Sequence, residues 1–181
     1  AVTISGNVNA GDDLVIKVVI CDDSYAEYHK IDNIEVLANM EYISSTVTQN
    51  RFNVAANRVN QQVICLQVVT SGDENPLTVS QITMNANGSS LPVTDNIENA
   101  RIFYTGTVNS FLTSNQFGST LAAPTTVDFN ITGSQNLLPG TNYFWICFDT
   151  KSTAVTGELI DAECTSFIIS GDSEIPAITA P

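Results

Sequence analysis

Two acidic residues, Asp161 and Glu163, have the type and spacing that acid–base chemistry requires. They stand two positions apart, so on an extended strand their side chains share one face. A pair of carboxylates is the arrangement that glycoside hydrolysis uses. With 19 acidic residues in a chain of 181, however, such pairs arise by chance. We therefore interpret Asp161 as structural, an acceptor for backbone donors at the start of a strand, and predict no catalytic residue.

Nucleophilic catalysis has no matching constellation either. A Ser-His-Asp triad would have to use His29, the only histidine, and no Gly-x-Ser-x-Gly elbow occurs in the sequence. We interpret His29 as a residue of a surface strand. The sequence therefore predicts a protein that is not an enzyme.

Calcium is the one cofactor for which the sequence offers ligands. Hard cations prefer clustered carboxylates, and aspartates crowd the first part of the chain, although no EF-hand spacing accompanies them. The candidate ligands of a structural calcium ion are Asp12, Asp13, Asp22, Asp23 and Asp32. No other cofactor is predicted.

The four cysteines, Cys21, Cys65, Cys147 and Cys164, are spaced too widely for a zinc knuckle or a C-x-x-C redox pair. Cys147 and Cys164 flank a short connection in a predicted hairpin, where a disulfide could join them. Alternatively, Cys65 and Cys147 lie on strands that immunoglobulin-like sandwiches sometimes bridge. Free buried thiols are the third interpretation.

The charge of the chain excludes whole classes of partner. Six basic residues against 19 acidic ones give a formal charge of -13, which repels nucleic-acid phosphates and anionic lipid head groups. No apolar run approaches the roughly 18 residues that a membrane-spanning helix needs. We predict neither nucleic-acid binding nor membrane insertion.

The elements that would position these residues are strands. β-branched runs separated by Gly, Asn, Asp and Pro dominate the chain, and no 3.6-residue apolar period persists. The spacing predicts an all-β fold, a seven-stranded immunoglobulin-like Greek-key sandwich preceded by two or three extra strands from an incomplete β domain. The seven predicted strands are 42–49, 61–71, 77–86, 100–106, 125–132, 142–149 and 164–170.

A turn between the two sheets is predicted just before strand 142–149. Pro139 presets φ, Gly140 supplies a permissive backbone, and Tyr143 can bury its ring while its hydroxyl bonds back to the turn. We therefore predict a tyrosine corner built from Pro139, Gly140 and Tyr143, with Trp145 following in the strand.

The strand after this corner is apolar on both faces, although a two-layer sandwich needs only one apolar face. A second cover is therefore required, and the candidates are the long connection 107–124, the N-terminal strands or a partner. The alternating residues are Tyr143, Trp145 and Cys147 on one face and Phe144, Ile146 and Phe148 on the other.

Three segments are predicted along the chain. Residues 1–39 hold too few strands for a core of their own, so we interpret them as the C-terminal strands of a jelly-roll-like domain or a strand-donating extension. Residues 40–171 form the sandwich. Residues 172–181 are predicted to be an extended linker.

Six segments carry a family resemblance: YISSTVTQ at 42–49, NPLTV at 75–79, ARIFYTG at 100–106, FGS at 117–119, GTNYFW at 140–145 and DAEC at 161–164. Together they resemble the N-terminal domain associated with BNR-repeat (sialidase-type) proteins, a β-sandwich module of large exported bacterial surface proteins. The corner also resembles that of fibronectin type III domains. Residues 31–36 are similar to the closing strands of carbohydrate-binding-type jelly rolls.

The resemblance implies an accessory module and not the catalytic domain of such proteins. Sialidase chemistry would need an arginine cluster and Ser-x-Asp-x-Gly-x-x-Trp boxes on propeller blades. Here Arg51, Arg58 and Arg101 lie on separate predicted elements, and the single Trp145 lies within a strand.

We therefore expect a non-catalytic spacer or adhesion module of an exported bacterial cell-surface protein, located outside the cell. Its expected partners are neighbouring domains of the same polypeptide or copies of itself. One alternative is a self-assembling filament subunit whose N-terminal strands complete a neighbour's sheet. Another is a carbohydrate-binding module, in which Tyr25, Tyr28 or Tyr104 would stack on a glycan.

Overall fold

A computed structural model describes residues 38–181, and these residues form a β-sandwich. Their elements, in chain order, are β1 Glu41–Gln49, β2 Gln61–Ser71, β3 Thr78–Asn85, α1 Val93–Asn96, β4 Ile97–Tyr104, β5 Gln116–Ala122, β6 Phe129–Asn136, β7 Gly140–Thr150, β8 Glu163–Ile169 and β9 Asp172–Glu174. The first predicted segment, 1–39, falls almost entirely outside this range, so its interpretation as strands of a second domain stays a prediction.

Two antiparallel sheets make the layers of the sandwich. One has five strands in the order β1-β2-β7-β4-β5, and the other has four in the order β6-β3-β8-β9. Strand β7 is central because it pairs with both β2 and β4, placing Cys65 opposite Trp145 on one side and Phe103 opposite Trp145 on the other. The prediction of an all-β sandwich is confirmed, with nine strands in the described residues where seven were predicted.

The main core lies between the sheets. Strand alternation turns Phe144, Ile146 and Phe148 of β7 inward, where they meet Phe167 of β8, and all four side chains are completely buried. Burying large apolar side chains in this way supplies most of the free energy that stabilises a sandwich. This interior fixes the positions of β4 and β7.

The outer face of the five-stranded sheet carries a second, smaller apolar cluster of Cys65, Phe103, Trp145 and Cys147. Phe111, from the connection after β4, covers it with ring centroids 6.0 Å from Trp145 and 6.1 Å from Phe103. The long connection thus supplies cover for the second apolar face, as one of the three alternatives predicted. The predicted bounds of this connection, 107–124, are nevertheless too wide, because Gln116–Ala122 form strand β5.

Close backbone approach joins the sheets along the β5–β6 side. Gly118 has φ +66°, and a Cβ there would stand 2.2 Å from the carbonyl oxygen of Thr132. A Cβ on Gly133 would stand 2.8 Å from the ring of Phe117. Glycine permits the left-handed backbone of Gly118 and the close approach at both positions. These two residues therefore close this side of the sandwich.

The C-terminal segment closes the opposite side, and the prediction that 172–181 form a linker is wrong for these residues. Asp172–Glu174 form β9, which pairs with β8. Farther on, the Ala177 amide donates to Ser45 of β1, the Val47 amide donates to Ile178, and the Cys164 amide of β8 donates to Thr179. The segment therefore bonds to both sheets, because its backbone finds free partners along β1 and at the start of β8.

Candidate functional site

A cleft of about 700 Å³ opens at one end of the sandwich, between the β1–β2 and β7–β8 connections. The short helix α1 contributes its floor through its last residue, Asn96. The side walls come from residues that lie far apart in the sequence. Those walls are lined by Gln49, Asn50, Arg51, Phe52, Asn53, Val54, Ala55, Ala56, Gln62, Val63, Thr150, Ala154, Val155, Thr156, Gly157, Glu158, Leu159 and Ile160.

Hydrogen bonds hold the β1–β2 connection in place. Asn50 fixes its start, since its Nδ2 donates to the Gln62 carbonyl at 3.0 Å and its Oδ1 accepts from the Phe52 amide at 3.1 Å. The Thr150 hydroxyl donates to the Ala55 carbonyl at 2.6 Å and ties the far part of the connection to β7. One wall of the cleft is therefore a shaped loop.

The β7–β8 connection is anchored on the opposite side by Ser90. The Leu159 amide donates to the Ser90 hydroxyl at 2.9 Å, and the Ser90 amide donates to the Leu159 carbonyl at 3.0 Å. Although its backbone is held, the side chain of Leu159 is 66% exposed, Val155 on the same connection is 64% exposed, and Phe52 across the cleft is 86% exposed. The rim is thus apolar as well as open.

The floor of the cleft carries an unusual amide. Asn96 is 1% exposed, and neither its Oδ1 nor its Nδ2 has a hydrogen-bond partner among residues 38–181. Its backbone carbonyl is satisfied, because it accepts from the Lys151 amide at 2.8 Å. Buried polar side chains in native proteins are nearly always hydrogen-bonded, so Asn96 is the residue here that the fold itself does not explain.

The predicted carboxylate pair lies just outside the cleft. Asp161 Oδ1 accepts from Gln49 Nε2 and from the Ala162 amide, both at 2.8 Å, and Glu163 Oε2 accepts from Asn85 Nδ2 at 3.1 Å. Burial is the main reason that the pKa of Asp161 is raised, and the Glu163 charge adds to it. Each carboxylate is engaged by an amide side chain, which agrees with the structural interpretation of Asp161.

The predicted tyrosine corner has a different hydrogen-bonding residue. Because strand alternation turns Tyr143 to the outer face, its ring stacks on Trp145 at 6.2 Å and its hydroxyl does not close the turn. Asn142 points inward in its place, donating to the Leu138 carbonyl at 2.7 Å and accepting from the Leu138 amide at 2.9 Å. Gly140 has φ +96°, as its predicted role requires, and Pro139 is exposed.

A buried tyrosine completes this corner, but it is Tyr104 of β4. Its hydroxyl donates to Asn142 Oδ1 at 2.6 Å, and its ring lies 4.8 Å from that of Phe144. Burial raises the pKa of Tyr104. With 6% of its surface exposed, this ring is not available to stack on a sugar, so that role predicted for Tyr104 is wrong. Tyr25 and Tyr28 lie outside the described residues.

The predicted disulfides are not formed, because the paired cysteines are wrongly placed. Cys164 points into the main core, whereas Cys147 belongs to the outer-face cluster, so strand β7 separates them. Cys65 shares the outer face with Cys147, but on the same sheet, so this pair cannot bridge two sheets. All three are buried free thiols. Burial raises the pKa of Cys65 and of Cys164 to about 12 each, and that of Cys147 further.

One ion pair, between the partly buried Arg101 and the buried Asp149, lies near the cleft end of the outer face. Arg101 Nη1 donates to Asp149, a residue only 3% exposed, and also to Asn60 Oδ1 at 2.9 Å. Asn99 Nδ2 donates to the second Asp149 oxygen at 2.9 Å, and the Asn60 amide donates to the first at 2.8 Å. Arg101 therefore bonds the β1–β2 connection, through Asn60, to β7, through Asp149. Arg51, by contrast, is exposed and lines the cleft.

Metal binding and membrane insertion can be compared with the structure only within residues 38–181. No group of three or more His, Cys, Asp or Glu side chains in this range is arranged to hold a metal ion. The calcium candidates Asp12, Asp13, Asp22, Asp23 and Asp32, like His29, fall outside it, so that site stays a prediction. None of the helices in the described part of the chain has the length and apolar character needed to cross a membrane.

The sequence does not predict the cleft, because its two walls come from connections that lie far apart in the chain. Its floor residue, Asn96, ends a helix of only four residues, which has no recognisable sequence pattern. The sequence itself offers only Phe52, an apolar residue between Arg51 and Asn53, as a local sign of the cleft.

Comparisons with known proteins agree with the architecture. The family model for the N-terminal domain of BNR-repeat neuraminidase matches residues 42–173. Among solved structures, the chain is similar to Hadza microbial sialidase Hz136, with a TM-score of 0.58 and 13% sequence identity. The similarity covers 75% of this chain and 31% of that sialidase, so the chain spans well under half of its length. No curated protein sequence matches the chain.

Proposed function

The chain belongs to the family of N-terminal domains of BNR-repeat neuraminidases, and we propose that it acts as a non-catalytic accessory module of an exported bacterial cell-surface protein. The observation that carries this proposal is the match itself. The matched model describes the domain that precedes the BNR repeats, and it covers residues 42–173, nearly the whole sandwich.

The contacts of the acidic residues support the non-catalytic part of the proposal. A glycosidase needs two carboxyl groups that face a common substrate and are free to exchange protons with it. Asp161 and Glu163 instead accept hydrogen bonds from Gln49 and Asn85, which belong to two different strands. Asp161 thus bonds the β7–β8 connection to β1, and Glu163 bonds β8 to β3.

A spacer that sets the position of neighbouring domains must itself be rigid. The sandwich is closed on one side by the glycine contacts of β5 and β6 and on the other by residues 177–179. These contacts support a module that holds its shape while neighbouring domains bind or react. We propose such neighbouring domains as its partners.

The test is a hydrolysis assay on the full 181-residue chain with a fluorogenic sialoside, run beside a sialidase as positive control. We expect no turnover above the rate of a Asp161→Asn, Glu163→Gln double variant. Turnover by the chain that disappears in the double variant would contradict the proposal, because it would identify these carboxylates as reacting groups.

The filament alternative receives less support from the described strands. A donated strand needs a free sheet edge, but β1 is already bonded to residues 177 and 178, and β5 packs on β6. Native mass spectrometry separates the two functions. We expect a monomer of 19.4 kDa, and a ladder of oligomers at micromolar concentration would favour the filament.

A further inference from the structure

A surface turn after β3 carries Asn87-Gly88, the only Asn-Gly pair in the sequence. The Ser89 amide closes this turn by donating to the Ala86 carbonyl at 3.3 Å. Gly88 has φ +88°, as in a turn type that needs glycine at its third position. Asn87 and Gly88 are both exposed, so water reaches the pair.

The fold requires the glycine of this pair and not the asparagine. A Cβ on Gly88 would collide with the carboxylate of Asp161, and a left-handed backbone disfavours other residues. The side chain of Asn87, in contrast, forms no hydrogen bond within the described range. Only its backbone amide is bonded, to Asn85 Oδ1 at 2.9 Å. The turn therefore explains why residue 88 is glycine but not why residue 87 is asparagine.

An asparagine followed by glycine deamidates readily, because no side chain shields the backbone nitrogen of the glycine. That nitrogen attacks the side-chain carbonyl carbon of the asparagine. The bond from this carbon to the NH₂ group breaks, and ammonia leaves with the proton of the attacking amide. Water then opens the resulting succinimide ring. Opening at the side-chain carbonyl gives aspartate, and opening at the main-chain carbonyl gives isoaspartate, whose main chain runs through Cβ.

The attacking nitrogen is free in the folded chain. The Gly88 amide donates to no acceptor within residues 38–181, so ring closure breaks no hydrogen bond at that atom. The turn must open as the backbone of Asn87 rotates towards the ring. Only the bond between Ser89 and Ala86 closes the turn, and at 3.3 Å it is longer than the usual N–H···O distance.

A second exposed pair, Asn109-Ser110, differs at the attacking atom. Both of its residues are exposed, and serine is also small. The Ser110 amide, however, donates to the Val108 carbonyl at 2.8 Å, and this hydrogen bond must break before the nitrogen can attack. The structure therefore favours deamidation at Asn87 over Asn109.

The turn also anchors one wall of the cleft. The Ser89 hydroxyl donates to the Asp161 carbonyl at 2.9 Å and accepts from the Asp161 amide at 2.8 Å. The Ser90 hydroxyl accepts from the Leu159 amide at 2.9 Å. Isoaspartate at position 87 adds one atom to the main chain just before these serines, which displaces them from the β7–β8 connection. Aspartate leaves the path of the main chain unchanged.

We propose that Asn87-Gly88 is a modification site, at which spontaneous deamidation of the folded chain forms isoaspartate and loosens the β7–β8 connection. Water is the only co-reactant, and ammonia is the only other product. The proposal does not rest on the accessory role, because it concerns chemistry within the chain and is tested without a sialoside.

The test follows deamidation of the full 181-residue chain in neutral buffer made with heavy-oxygen water. Samples taken over several weeks are digested and mapped by mass spectrometry, and isoaspartate is located with an isoaspartyl methyltransferase. We expect the peptide with Asn87 to lose ammonia and gain one heavy oxygen atom. This conversion should be about tenfold faster than at Asn109, as for a modest difference in barrier height.

Two variants and an unfolded sample are the controls. Asn87→Gln lengthens the side chain, which disfavours ring closure, and should show no conversion at this position. Asn109→Gln is the matched variant and should leave the conversion of Asn87 unchanged. In urea the turn is absent and Asn87 should also convert. Conversion in urea alone would overturn the proposal, because it would show that the folded turn protects the pair.

Hydrogen exchange measures the structural effect. Both products gain a negative charge, so ion exchange separates them from the unaltered chain. In the isoaspartate form, the Leu159 and Asp161 amides should exchange about tenfold faster, the ratio for roughly one lost hydrogen bond. Asn87→Asp carries the same charge on a normal backbone, and its two amides should exchange as in the unaltered chain.

Three results would overturn the proposal. The first is the absence of conversion at Asn87 in the folded chain, and the second is conversion at Asn109 that is as fast or faster. The third is unchanged exchange of the Leu159 and Asp161 amides in the isoaspartate form.

Discussion

The two ends of the β4–β7 pair each bury one asparagine, and the two residues differ in almost every contact. Asn142, at the corner end, is completely buried and bonds through its side chain to Leu138, Gly140 and Tyr104. Asn96, at the cleft end, is 1% exposed and its side chain has no such partner in the described chain. Two asparagines that are almost equally buried therefore differ in whether their side chains are hydrogen-bonded within the described residues.

The satisfied asparagine is a structural device. Its amide replaces backbone partners that the turn at residues 138–140 lacks, and the Thr70 hydroxyl adds a further bond to the Leu138 carbonyl at 2.9 Å. The side chain of Asn96 makes no hydrogen bond within the described residues, and only its backbone carbonyl is bonded, to the Lys151 amide. The difference teaches that burial alone does not tell what a polar side chain contributes to the fold, whereas its hydrogen bonds do.

The largest effect is expected from removing the satisfied asparagine. Asn142→Ala leaves the Leu138 amide and the buried Tyr104 hydroxyl without this partner, whereas the Leu138 carbonyl keeps its bond from the Thr70 hydroxyl. Each such loss costs on the order of 1–3 kcal/mol, so we expect the free energy of unfolding to fall by about 3 kcal/mol. Urea denaturation followed by Trp145 fluorescence measures it.

Asn96→Ala is the matched variant for this experiment. It removes a buried amide that is not paired, so the loss of packing is offset by relief of an unsatisfied group, and we expect a change within about 1 kcal/mol. Equal destabilisation by the two substitutions would show that the ends do not differ in this way.

A smaller effect distinguishes the two tyrosines of the corner. Tyr104→Phe deletes the hydroxyl that donates to Asn142 at 2.6 Å and should reduce the free energy of unfolding by about 1 kcal/mol. Tyr143→Phe should change it by less than about 0.5 kcal/mol, as for a typical surface substitution. Thermal denaturation of both variants measures the two losses of stability. A larger loss in Tyr143→Phe than in Tyr104→Phe would show that Tyr143 is the corner residue after all.

The smallest effect concerns pH at the cleft end. Burial raises the pKa of Asp161 above its ordinary value of 3.8, so the folded chain binds this proton more tightly than the unfolded chain. Ionisation of Asp161 therefore destabilises the fold, and its contribution becomes more favourable as pH falls through the raised pKa towards 3.8.

Asp161→Asn removes that titration while keeping an oxygen for Gln49. We expect the variant to gain stability relative to the unaltered chain at pH 7 and to lose this advantage near pH 4. Urea denaturation at the two pH values measures the difference. An advantage that grows on acidification would mean that the pKa of Asp161 is lowered and not raised.

The strands of the main core could be read from the sequence with good accuracy. Predicted strands 42–49 and 61–71 correspond to β1 Glu41–Gln49 and β2 Gln61–Ser71. Apart from Ile43, which is 55% exposed, the apolar residues of these strands are buried or partly buried. The pattern predicts the strands because the same residues form the core. The prediction for the corner located the turn correctly at Pro139 and Gly140, but not the side chain that closes it.

Features formed by long-range contacts could not be predicted. Strand β5 has one fully buried apolar residue, Phe117, and a glycine beside it, so its strand signal is weak. Residues 177–179 leave Ile178 51% exposed and are held by backbone bonds to β1 and β8, which no local pattern encodes. The cleft and Asn96 depend on loops that meet only in the folded chain.

The bonds of residues 177–179 have a mechanical consequence. Because Thr179 engages β8 while Ile178 and Ala177 engage β1, tension applied at Pro181 loads the bond to β8 first and the bonds to β1 next. A pull at this point must break bonds to both layers before it can peel either one away. The sandwich is therefore built to withstand traction at its C-terminal end.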